Sequence, residues 1–81
     1  MSVEAHKELV LFLARALVDE PDEVTVDVVE TSRRTTLELT VAPEDLGKVI
    51  GKDGRTARAM RTLLSSMQSR GRRRVLLDIL E

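Results

Sequence analysis

Leu46-Gly47-Lys48-Val49-Ile50-Gly51-Lys52-Asp53-Gly54-Arg55 is the stretch on which the reading of this chain turns. Gly51 and Gly54 stand three positions apart, Lys52 lies between them, and apolar residues on either side keep helical spacing. Glycine suits backbone that turns through positive φ or comes close to a ligand. A helix starting after Gly54 leaves its first N–H groups without internal partners. Those N–H groups, the positive end of a helix dipole and a nearby lysine together favour an anion. The stretch is expected to be a phosphate-gripping loop between two helices.

The residues on either side supply those helices. Ala42-Pro43-Glu44-Asp45 opens the first, with proline in the first turn and acids at the positive end. It is short: Leu46, Val49 and Ile50 face inward before Gly51 caps its C-terminus. The second is expected from Gly54 or Arg55 to about Ser69, with Ala57, Met60, Leu63, Leu64 and Met67 at helical spacing. Gly71 breaks it, and Arg72-Arg73-Arg74 leads into a last strand, Val75 to Leu80. In that strand Leu76 and Leu80 alternate with the expected core set Val75, Leu77 and Ile79, leaving an apolar second face.

Further upstream the period changes to two. Val24, Val26 and Val28 alternate with polar residues, as do Leu37, Leu39 and Val41, which reads as an antiparallel hairpin with one buried face. The connection, Glu30 to Thr35, holds Arg33-Arg34 and no glycine, so a longer and more mobile turn than a two-residue one is expected. An N-terminal helix from about residue 3 to 19, capped by Ser2, carries Val10, Leu13, Ala14 and Leu17 at helical spacing and ends before Pro21. Phe12 is assigned to its buried face and His6 to its exposed start. The element order is α-β-β-α-α-β, an α+β fold in one domain, 1–81. The third strand returns parallel to the second after a two-helix crossover. This gives a three-stranded mixed sheet in the order 1-2-3, covered on one face by three helices.

Composition narrows the function. With 81 residues there is room for one core, and 42% apolar with 33% charged residues fits a globular chain. The absence of cysteine and the presence of one histidine exclude a disulfide framework, a thiolate site and a multi-histidine metal site. The apolar run Leu9 to Val18 is too short for a membrane span, is broken by Arg15 and follows Glu4 and Glu8, so a cytoplasmic location is expected. Net charge is −1, yet residues 1–45 hold four Lys/Arg against eleven Asp/Glu, and residues 46–81 hold nine against three. Such segregation fits a positive face for nucleic acid, unless folding intermixes the halves.

Other chemistries find little support. The spacing from Gly47 to Lys52 is one residue short of a Walker A loop, which would also need Ser or Thr after the lysine and a strand before it. No nucleophile stands with a base, and the carboxylates lack metal-ligand spacing. No catalytic residue, metal or cofactor is expected. Asp53 is read as the cap of the helix after Gly54, Arg61 as structural, and the Arg70 to Arg74 cluster as either a solvated turn or a contact for a longer strand or a partner protein.

At Val49-Ile50-Gly51-Lys52-Asp53-Gly54-Arg55 the chain resembles a KH domain, whose signature is an aliphatic pair, G-x-x-G and an amphipathic helix. Its element order is similar to the type II, bacterial arrangement. Gly47 to Thr56, followed by Ala59-Met60-Arg61-Thr62-Leu63-Leu64, resembles the KhpA family of small single-KH-domain RNA-binding proteins of bacteria. The resemblance implies a non-catalytic module acting in post-transcriptional regulation or as an RNA chaperone, with a groove for about four single-stranded nucleotides. On this chain the implied contacts are Lys48, Val49, Ile50, Gly51, Lys52, Asp53, Gly54, Arg55 and Arg58. Leu46 and Ala57 join Val49 and Ile50 in an apolar floor, and Arg33 and Arg34 rim the opposite side. Ala57 occupies a position that carries a bulky aliphatic in many KH domains. Without Trp or Tyr, and with Phe12 assigned to the core, base stacking on aromatics is not expected, so binding should be weak, salt-sensitive and poorly sequence-specific. The resemblance also implies homodimers or pairing with a second KH-domain protein. That leaves an alternative role as a protein-interaction module acting through the apolar last strand or the basic turn.

Overall fold

In the computed structural model, which describes residues 3–67 and 74–81, the period-two runs form strands and the helical runs form helices in the expected order. Helices α1 (Val3–Leu17), α2 (Leu46–Ile50) and α3 (Arg55–Ser66) accompany strands β1 (Thr25–Glu30), β2 (Arg34–Thr40) and β3 (Arg74–Ile79). Short 3-10 turns at Pro21–Glu23 and Pro43–Asp45 begin with proline, whose fixed φ suits the first position of a turn. The Ser2 cap, the last residues of the expected second helix and Arg70, Gly71, Arg72 and Arg73 lie outside the described residues.

The sheet order is β1-β2-β3, with β1 antiparallel and β3 parallel to β2. Val26 pairs with Leu39 and Leu39 with Ile79; Val28 pairs with Leu37 and Leu37 with Leu77. These rows face the helices and meet Val10, Ala14, Val49, Ala57, Met60 and Leu64 in one core. Leu37, Leu39, Val10 and Val49 are fully buried, so truncating either leucine to alanine should cost about 2–5 kcal/mol through lost burial and the cavity left behind. The opposite face of the sheet carries Asp27, Glu38 and Asp78 in one row and Arg34 beside Arg74 in another. Among the described residues no helix lies over this face, which is why its residues alternate in exposure with the core set.

One expectation is narrowed and two are corrected. The hairpin connection, residues 31–33, is longer than a two-residue turn but shorter than Glu30 to Thr35, because the Thr31 hydroxyl accepts hydrogen bonds from the backbone N–H groups of Arg33 and Arg34 at 3.3 and 3.2 Å, holding a turn that has no glycine. His6 is buried, not on the surface, since it continues the stripe of Val10 and Ala14 at intervals of four. Phe12 is 71% exposed, because the core stripe passes on the other side of α1, through positions 10 and 14.

Candidate nucleic-acid interface

The glycine loop is built from unusual backbone at three of its four residues. Gly51 ends α2 at φ 79°, ψ 170°, a conformation essentially restricted to glycine, while its N–H donates to the carbonyl of Gly47 at 2.9 Å. A β-carbon there would lie 2.8 Å from Thr56 Cβ and from the Thr56 backbone nitrogen. Glycine is therefore required twice, by conformation and by space. Gly54 is left-handed at φ 74°, ψ 14°, but a β-carbon there would find open space, meeting only Arg58 Nη2 at 3.9 Å. That opening lets a ligand approach the first turn of α3.

Asp53 corrects the capping expectation. It adopts left-handed φ 57°, ψ 25°, which Asp tolerates better than most residues, and α3 has no side-chain cap at its N-terminus. Its contribution is through the backbone: the Asp53 carbonyl accepts a hydrogen bond from Arg58 Nη2 at 3.1 Å. Arg58, one turn into α3, thereby ties the loop to the helix that follows it. Lys52 and Arg55 are exposed on either side.

Lys48 is held elsewhere. Its ammonium pairs with Asp19 and with Asp45, each at 3.2 Å, and Asp45 also accepts the Glu20 N–H at 3.0 Å. Asp45 is 1% exposed. Burial pushes its pKa upward, but hydrogen bonds from the Asp19 and Glu20 backbone and from Lys48 outweigh that and hold it below the ordinary 3.8. Hydrogen bonding to Asp19, then to Asp45, raises Lys48 above its ordinary 10.5. The cluster fastens the start of α2 to the segment following α1 and holds the Lys48 ammonium there.

Beyond the loop, a groove runs along the seam between α3 and the edge strand β3. Its first part is an open cavity of about 410 Å³ reached by Ile50, Gly54, Ala57, Arg58 and Ile79, with Asp78 and Glu81 on its rim. Farther along lies a second, about 310 Å³, bordered by Leu64, Ser65, Arg74 and Leu76. Arg61 borders both. Its Nε and Nη2 donate to the carbonyl of Leu77 at 3.3 and 3.1 Å, bridging helix and strand.

Of the residues singled out in the sequence, Ile50, Gly51, Lys52, Asp53, Gly54, Arg55 and Arg58 cluster at or beside the loop. Val49 is fully buried, so its place is beneath the floor and not on it. The apolar residues bordering the cavity are Ile50, Ala57 and Ile79, while Leu46 packs half-buried against the core. Arg33 and Arg34 lie at the opposite end of the sheet from the loop, where Arg34 is the register partner of Arg74. That end is about 16 Å from Ile79 along a six-residue strand. Arg61 was read only as structural and Ile79 only as core, and the two carboxylates Asp78 and Glu81 were not singled out. The signal for Arg61 was present in the spacing: positions 54, 57, 58, 61, 64 and 65 make one helical stripe that starts at the loop.

A G-x-x-G loop joining two helices, which lie with a third on one face of a β1-β2-β3 sheet whose last strand is parallel, defines a KH domain. The family model described as "KhpA/KhpB, KH domain" matches residues 7–79. Proteins named RNA-binding protein KhpA are similar along nearly their whole length. The one from Treponema pallidum is 49% identical over 79 residues, covering 98% of this chain and 99% of the relative. That from Borreliella burgdorferi is 49% identical over 74 residues, 91% and 90% of the two chains. That from Caldanaerobacter subterraneus is 48% identical over 73 residues, 90% and 97%. No solved structure gives a significant match. The chain belongs to the KhpA/KhpB family of KH domains.

Proposed function

We propose that this protein is a non-catalytic module that binds single-stranded RNA, gripping the backbone with Gly51-Lys52-Asp53-Gly54 and laying bases along the α3–β3 groove. The observation that carries this is the open left-handed turn at Gly54, with exposed Lys52 and Arg55 beside it and an apolar floor directly beyond. Phosphate meets N–H groups and cations at the loop, and base faces meet Ile50, Ala57 and Ile79. Membership of a family whose similar members are named RNA-binding supports the polymer as the ligand. Binding and release without chemistry fit an RNA chaperone or post-transcriptional regulator.

Lys52→Asp sets two carboxylates side by side in the loop and leaves the core intact. Anisotropy titration with a short single-stranded RNA should show affinity falling at least tenfold, the loss of about 1.4 kcal/mol. Unchanged affinity in the folded variant would refute the loop as the grip.

Pairing with a second copy or another KH-domain protein is a further role supported by the uncovered sheet face, where Val29 and Leu80 are 42% and 39% exposed. Sedimentation over a range of concentrations, alone and with such a partner, should show association; a monomer under both conditions removes this role.

A further inference from the structure

Arg61 stands where the two parts of the groove meet, and its side chain is already fixed. Two of its five N–H donors go to one acceptor, the carbonyl of Leu77 on the edge strand. An edge carbonyl has no neighbouring strand to pair with, so the guanidinium satisfies it and is oriented by it. Three donors and the planar faces of the group remain available beside an apolar floor. Holding the fork in one geometry before a ligand arrives reduces the entropy lost on binding.

We propose that Arg61 is a base-contacting residue, a planar platform and donor set at the centre of the groove, and not a phosphate contact. The proposal rests on the RNA-binding reading above and deepens it. Three observations favour a base over a phosphate. Asp78 and Glu81 rim the same cavity and repel a polyanion, whereas a base is neutral. The floor next to Arg61 is aliphatic, with Ala57 leaving room for a ring. Planar aromatic partners are absent from the groove: the chain has no Trp or Tyr, and its single Phe, Phe12, borders a separate hollow on α1 with Glu8, Leu11 and Arg15. A guanidinium plane fills the place an aromatic ring takes in other single-strand binders. Of the other arginines bordering the groove, Arg58 is turned to the Asp53 carbonyl and Arg74 lies at the far end.

The test uses Arg61→Lys, which keeps the charge and removes the plane and the fork. Wild-type and variant proteins are titrated, over a series of salt concentrations, with a short single-stranded RNA and with an abasic ribose-phosphate strand of equal length. The base-bearing strand should bind the variant about tenfold more weakly, as for one lost stacking contact, with its salt slope kept and the abasic strand's affinity kept. The abasic strand thus reports on the fold and on the backbone grip. If both strands weaken together with a shallower salt slope, Arg61 is a phosphate contact and the proposal falls. If neither weakens, Arg61 is only a brace and it falls equally. Lys52→Asp, titrated in parallel, separates the two claims: its failure to weaken either strand would overturn the RNA-grip reading itself.

Discussion

Gly51 and Gly54 share a motif but answer to different physics. At Gly51 any side chain meets Thr56 in addition to a glycine-only backbone region, so Gly51→Ala should destabilise the fold by about 2–4 kcal/mol. At Gly54 only the left-handed backbone objects, so Gly54→Ala should cost about 1–2 kcal/mol, while placing a methyl group where a phosphate would approach. Urea denaturation gives the order of stabilities, and RNA titration should reverse the usual link between stability and function: the milder variant in folding still binds poorly. Equal destabilisation by the two substitutions would contradict the geometry of the turn. The two glycines were legible in the sequence because positive φ is tied to their residue type. Asp53 was misread because two ways of settling an acid beside a helix start, capping and left-handed backbone, look identical without φ.

At the scale of elements, α2 is a single short helix of five residues, and isolated helices of that length do not hold. What anchors its first turn is the Asp45 carboxylate, tied to the Glu20 backbone and to Lys48, which also reaches Asp19. Because the folded pKa of Asp45 lies below 3.8, its contribution is complete above that pH and is lost as pH falls through the lowered value. Lys48, raised above 10.5, contributes fully below that pH and loses its contribution as pH rises through the raised value. Thermal unfolding of Asp45→Asn should show a lower midpoint at neutral pH and a flatter decline in acid than the wild type. Parallel acid limbs in the two proteins would remove Asp45 from this role. Periodicity made all six principal elements legible, since 2.0 and 3.6 repeats depend only on neighbouring residues. The Lys48 pairing was hidden because Asp19 approaches from 29 positions away, and the shortness of the hairpin turn because a threonine hydroxyl holds it where no glycine stands. The exposure of Phe12 was hidden for a third reason: α1 is apolar over much of its circumference, so sequence did not say which face the sheet would take.

On the scale of the whole molecule, the groove gathers cations that the sequence spread over two dozen positions. Lys52 and Arg55 stand at the loop, Arg58 and Arg61 along α3, and Arg74 at the far end, where Arg34 lies beside it. The sheet's uncovered face instead carries a row of three acids, Asp27, Glu38 and Asp78. The Arg34–Arg74 pair shares that face with the acidic row, and Asp78 stands where the face meets the groove. If about three phosphates are neutralised at the loop and groove, log affinity should fall by about two units per tenfold rise in salt. Asp78→Asn should tighten binding by removing repulsion at the rim, which titration at low salt would read most clearly. The measurement that tests the account most directly is an amide-shift titration of the labelled protein with short single-stranded RNA. Shifts should concentrate at Gly51 to Arg58, Arg61 and Leu77 to Ile79, leaving Thr25, Asp27 and Val29 still; shifts centred on those three β1 residues, with the glycine loop unmoved, would contradict it.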